Sequence, residues 1–157
     1  MKKISLLRLF ANARVLLFAL LLISCHSNVK KEDIAKLNGY WEIKQVKLAT
    51  GKTKDYKINE SIDYFELRHP EASGQSDNEM VGFRQKVMPQ FDGKFQTNGI
   101  KENIKVVEKD NTFFIEYHTK FGKWEEEIIT IEDSTLVLEN QEKIEYTYKK
   151  FKPFSFK

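Results

Sequence analysis

Strict alternation of apolar and polar side chains over short runs is the feature that most narrows what this chain can fold into. Between residues 112 and 119, Phe113, Ile115 and Tyr117 fall on one face, while Phe114, Glu116 and His118 fall on the other. Between residues 143 and 151, Ile144, Tyr146 and Tyr148 oppose Glu145, Thr147 and Lys149. A strand turns successive side chains to opposite faces, so this period means one buried and one wet face, as in an antiparallel sheet. From Gly39 onward such runs recur, and strands are expected near residues 40–48, 62–69, 80–88, 93–97, 102–108, 112–119, 123–131, 135–140 and 143–151. The connectors Lys109-Asp110-Asn111, Phe121-Gly122-Lys123 and Glu132-Asp133-Ser134 are short and polar or Gly-bearing, so sequence neighbours should pair in hairpins. No run longer than ten residues has capped helical periodicity, which excludes most α/β folds. Twelve Phe, six Tyr and two Trp against three Pro suit pleated, half-buried strands.

The first 25 residues read differently. Lys2, Lys3, Arg8 and Arg14 stand without an acid, Val15 to Ile23 is continuously apolar, and Ser24 precedes the only cysteine, Cys25. That order is a secretory leader, and the apolar run is too short for the roughly 20 residues a membrane span needs. Leu22-Ile23-Ser24-Cys25 resembles the lipobox of bacterial lipoproteins. The resemblance implies cleavage before Cys25, acylation of that cysteine, palmitate included, and a membrane held as partner through the lipid. His26 stands where proteins of the enterobacterial type carry an inner-membrane retention Asp, so outer-membrane residence in the cell envelope is expected. Lys30-Lys31-Glu32-Asp33 loosely resembles the charged surface-export signals of Bacteroidetes lipoproteins, which leaves the periplasmic and external faces both open. The expected organisation is a signal peptide at 1–24, an acylated tether at 25–35 and one barrel domain at 36–157. Loss of residues 1–24 removes four basic residues and takes the formal charge from +3 to −1, which leaves no net drive toward nucleic acid. The remaining 133 residues suffice for one core without disulfides. Asp33 to Leu37 is expected to form one helical turn, with Ile34 and Leu37 on one face, plugging a barrel end.

Just before the first strand, Leu37-Asn38-Gly39-Tyr40-Trp41 resembles the Gly-x-Trp signature that opens lipocalin and fatty-acid-binding-protein barrels. On that resemblance Gly39 and Trp41 are the fold motif, Trp41 packs across the closed end, and Lys149 or Lys150 supplies the basic partner from the last strand. The domain is similar to the lipocalin-like lipoproteins of Bacteroidetes. The expected fold is all-β, an antiparallel up-and-down meander barrel of eight to nine strands.

Other residues invite chemistry. Gly51-Lys52-Thr53 ends like a phosphate loop, but Val46 stands where the earlier Gly belongs, so it reads as a hairpin turn. Glu116 and His118, with His69, offer metal-ligand types, yet His and Glu on a wet strand face read as solvation, and no metal or other cofactor is expected. In Glu125-Glu126-Glu127 only Glu125 and Glu127 share a face, and neither has a visible desolvating partner. Period two puts Glu126 with Trp124, Ile128 and Thr130 on the interior-reading face. Glu126 and Trp124 are therefore candidate ligand contacts, Glu126 as a polar anchor inside the cavity or, the favoured reading, a carboxylate in water at the barrel rim, and Arg84, between Phe83 and Gln85, is a third candidate with the same two readings on its own strand. The polar gap Pro70–Glu79 suits a lid or a passive insertion, and the aromatics after Lys149 suit packing on the barrel exterior. Two function classes follow: a module binding one small apolar or amphipathic ligand, or a filled barrel acting as an interaction subunit with a protein partner the sequence does not name. An enzyme is not expected.

Overall fold

The computed structural model describes residues 29–57, 61–68 and 80–152. The leader with Cys25 and His26, His69, the gap Pro70–Glu79 and the tail after Lys152 lie outside them. Among the described residues a 3-10 helix, Lys31–Leu37, precedes ten strands. These are β1 (Gly39–Lys47), β2 (Thr53–Asp55), β3 (Ile62–Arg68), β4 (Met80–Pro89), β5 (Phe95–Thr97), β6 (Glu102–Lys109), β7 (Thr112–Thr119), β8 (Gly122–Ile131), β9 (Thr135–Asn140) and β10 (Glu145–Lys150). Eight of them run β1-β3-β4-β6-β7-β8-β9-β10 as antiparallel neighbours, and β10 pairs back with β1 to close the sheet. This is the expected all-β up-and-down barrel. The surplus ninth segment is β5, which pairs only with β4, off the closed path. The short β2, with all three residues exposed, pairs with β1 and has no apolar alternation to announce it.

Alternating strand direction puts the β1–β3, β4–β6, β7–β8 and β9–β10 connections at one end, the mouth, and the 3-10 helix at the other. The turns carry the chemistry their geometry demands. Asp110 and Asn111 both take positive φ, as a two-residue type I′ hairpin requires. Gly51, at φ +81°, closes the β1–β2 hairpin through Gly51 N–H to the Leu48 carbonyl and Leu48 N–H to the Lys52 carbonyl, both 2.8 Å, so Gly51-Lys52-Thr53 is a turn. Gly82 allows β3 and β4 to close: a Cβ there would stand 1.7 Å from the Glu66 carbonyl oxygen.

The inward faces of the strands form the core. Phe113, Ile115 and Tyr117 point in from β7, and Tyr148 from β10, as their alternation required. A register shift between Ile128 and Thr130 in β8 turns Ile131, rather than the expected Thr130, into the core. At the closed end Ile34 and Leu37 of the 3-10 helix are buried against the barrel. Trp41 is wholly buried beneath them and donates its indole N–H to the Leu37 carbonyl at 2.7 Å. Lys150 lies over the Trp41 ring, its Nζ 4.1 Å from the centroid, and donates to the carbonyls of Lys36 and Asn38. Outside the wall, Phe95 of β5 stacks on Tyr40 at 4.2 Å and meets Phe151 edge-on at 6.1 Å. Phe151 thus packs on the exterior.

Candidate ligand-binding site at the barrel mouth

Period two along β4 places Arg84 and Lys86 on the inner face with Gly82, because Arg84 lies opposite Phe65 and Lys86 opposite Asp63. Arg84 is 8% exposed. Its Nε donates to Glu102 at 2.6 Å, its Nη1 donates to the Tyr117 hydroxyl at 3.3 Å, and the guanidinium lies over the Tyr117 ring at 4.3 Å. Tyr117 in turn donates to Glu126 Oε2 at 2.7 Å, and Glu126 stands 3.7 Å from Arg84 Nη1. Beside them Asp63 accepts from Lys86 Nζ at 2.9 Å and from the Tyr148 hydroxyl at 3.3 Å. Buried charge is tolerated here because each ion meets an opposite charge and a hydrogen-bonding phenol.

Burial pushes the Glu126 carboxyl above the usual carboxylate range, against the pull of Arg84 and the Tyr117 bond. Burial also raises Tyr117 and Tyr148 well above the ordinary phenol value, so both remain neutral donors. Desolvation works against the Arg84 cation, but the surrounding Tyr117, Asp63, Glu126 and Glu102 outweigh it, and its pKa stands above the ordinary guanidinium value.

The network opens on a cleft of about 770 Å³ between the turn preceding β6 and the β7–β8 hairpin, with Lys86 and Glu102 in its lining. Its apolar surface comes from Ile100, Phe121 and Trp124. Trp124 lies parallel to Tyr117, ring centroids 4.9 Å apart, and so joins the cleft to the buried network. Local turn chemistry presents the other two. Asn98 Oδ1 accepts from Ile100 N–H at 3.0 Å and Thr97 Oγ1 from Gly99 N–H at 3.0 Å, while Thr119 Oγ1 accepts from Phe121 N–H at 3.1 Å. As a result Phe121 is 81% and Ile100 51% exposed. A concave site with a few polar groups beside exposed apolar side chains is the usual form of a small-molecule site. A separate cleft of about 370 Å³ lies by β5, over Ile62 and Val87.

The structure brings three of the candidate residues together: Trp124, Glu126 and Arg84 form one connected group. Glu126 is not in water at the rim. It is 8% exposed, and Arg84 and Tyr117 supply the partners whose expected lack favoured the rim. Gly39 and Trp41 lie at the opposite end, where Gly39 takes φ +108° beside Lys150. Glu116 and Glu125 both bind Lys109, at 3.0 and 2.6 Å, and His118 is exposed. Among the described residues no three His, Cys, Asp or Glu side chains are grouped to hold a metal. Sequence reasoning missed Asp63, Lys86, Glu102 and Tyr148 as site members. Period two counted from Phe65 and from Arg84 would have turned Asp63 and Lys86 inward.

No protein-family model matches the sequence, and a comparison with curated proteins gives no match. Among solved structures the chain is similar to a lipocalin-like protein from Bacteroides uniformis, with 16% identity and a TM-score of 0.43, over 74% of this chain and 99% of that one. The fold is a closed, eight-stranded, antiparallel up-and-down barrel. Its own strand order, its closure through β1 and β10 and its plug of 3-10 helix and Trp41 define it.

Proposed function

We propose that this protein is an acylated lipoprotein of the cell envelope whose barrel takes one small amphipathic molecule at its mouth. The observation that carries the reading is the junction between cleft and buried network, where Lys86 and Glu102 meet the apolar surface of Ile100, Phe121 and Trp124. Trp41, Phe65, Tyr117 and Leu136, each fully buried, occupy the barrel interior, so a ligand is met at the mouth rather than swallowed whole. The groups of the network satisfy one another, which suits holding a molecule more than transforming it. The lipobox-like Leu22-Ile23-Ser24-Cys25 supports the membrane anchor, and His26, in place of an inner-membrane retention Asp, supports outer-membrane residence. Incorporation of an alkyne-tagged palmitate into the wild type and not into Cys25→Ser tests the anchor.

The binding reading is tested by native mass spectrometry of the mature chain from residue 25, carrying Cys25→Ser and purified gently from its own host. A stoichiometric small molecule on the folded chain is expected. A bare mass that does not shift on addition of host extract would refute it. The same large interior side chains favour a second reading, a filled barrel acting as an interaction subunit, and the bare mass would turn the search to a protein partner.

A further inference from the structure

The charge of the mouth cleft differs in sign from that of the domain. Among the described residues three lysines, Lys86, Lys101 and Lys120, line the cleft against one carboxylate, Glu102, which gives a lining of +2. The groups behind it do not cancel this. Arg84 offsets one of Asp63 and Glu126, so the lining and the buried layer together remain at +1 with every group ionised. Glu102 faces the cleft with its Oε2 already bound by Arg84 Nε at 2.6 Å. The chain from Cys25 onward carries −1 overall. A concave, low-dielectric site of one sign on a domain of the other focuses field lines and concentrates ions of opposite charge. Around these cations stand Phe121, Ile100 and Trp124, whose apolar surface has no counterpart in a site for a bare inorganic ion.

We propose that the mouth cleft selects a small organic anion with a flat apolar body. Its ring lies against Phe121 and Trp124, and its carboxylate, sulfonate or phosphate faces Lys120 and the exposed side of Lys86, which also binds Asp63, while Lys101, its ammonium 3.8 Å over the outward-facing Phe83, adds positive charge from beside the cleft. This inference rests on the binding reading above and adds the ligand's charge and shape.

Three probes of one shape test it: 2-naphthalenesulfonate, its neutral sulfonamide and a naphthyl-trimethylammonium. Each is titrated into Cys25→Ser and followed by amide and indole chemical shifts. The sulfonate is expected to bind at least tenfold more tightly than the other two, with shifts centred on Ile100, Lys101, Phe121 and the Trp124 indole. Reversing Lys101→Glu with Lys120→Glu turns the lining from +2 to −2 and is expected to weaken the sulfonate by about tenfold or more, leaving the sulfonamide within about twofold. Phe121→Ser weakens both. Retained near-ultraviolet dichroism shows that these surface variants fold. Equal binding of all three probes, or no response of the sulfonate to charge reversal, would overturn the anion inference while leaving the binding reading intact. Absence of any shift at the cleft with every probe at millimolar concentration would overturn both.

Discussion

Removing Arg84 while keeping its anions isolates what holds the interior charges. Arg84→Met keeps an apolar stem of similar length but deletes the bonds to Glu102 and Tyr117 and the cation 3.7 Å from Glu126. Breaking one side of a buried pair costs about 3–5 kcal/mol, because the remaining charge is stranded. For a domain of this size about 4 °C of melting temperature accompanies each kcal/mol, so the midpoint should fall by about 12–20 °C. Adding Glu126→Gln removes the stranded charge while still accepting the Tyr117 hydroxyl, and should recover most of the loss. The pH dependence has a definite sign. Burial holds Glu126 above its ordinary value, so the folded chain binds a proton that the unfolded chain has lost. Stability then falls as pH rises from the ordinary glutamate value through the raised one. Without Arg84 that window extends upward, and the deficit of Arg84→Met should be larger at pH 8 than at pH 5. The assay is urea denaturation of wild type, both single variants and the double variant at the two pH values. Additive losses, or a deficit independent of pH, would refute the reasoning.

Three further outcomes follow from the packing. Trp41→Ala empties a fully buried site and loses the bond to the Leu37 carbonyl, so it should cost about 3–5 kcal/mol and speed amide exchange in the 3-10 helix, read by denaturation and hydrogen exchange. Gly82→Ala would drive a methyl to 1.7 Å from the Glu66 carbonyl oxygen, so β3 and β4 must separate, and a loss above about 2 kcal/mol is expected by thermal melting. Lys150→Met removes the ammonium shared by the Lys36 and Asn38 carbonyls and should cost about 1–3 kcal/mol, measured by urea midpoint.

Much of the barrel was legible because its strands bury one face. Alternation through Phe113, Ile115 and Tyr117, and through Ile144, Tyr146 and Tyr148, reports the core directly. The helical turn carrying Ile34 and Leu37 was visible for the same reason. β2 was not visible, since its residues Thr53, Lys54 and Asp55 are all polar and exposed, and they join β1 through the backbone and one Gln45–Asp55 side-chain bond rather than through an apolar face. The inward register of Ile131 was hidden because a bulge shifts the period locally and leaves no residue signature. The site was legible only in part. Arg84, Trp124 and Glu126 stood out by their strand faces, but the position of Glu126 depended on partners far away in sequence. Arg84 lies on β4 and Glu126 on β8, three strands apart in the sheet, and only the curvature of the barrel wall brings their side chains together. A lone inward carboxylate is costly and a partnered one is not, and sequence spacing does not show which case holds.

The proposed function requires that the mouth of this barrel hold a small molecule. A crystal structure of the Cys25→Ser protein, isolated gently from its own host and crystallised without added ligand, tests it most directly. Electron density for one small molecule is expected against Phe121, Ile100 and Trp124, with its polar end toward Lys86. A cleft collapsed by its own side chains, or a ligand deep in the barrel with Phe65 and Tyr117 displaced, would contradict it.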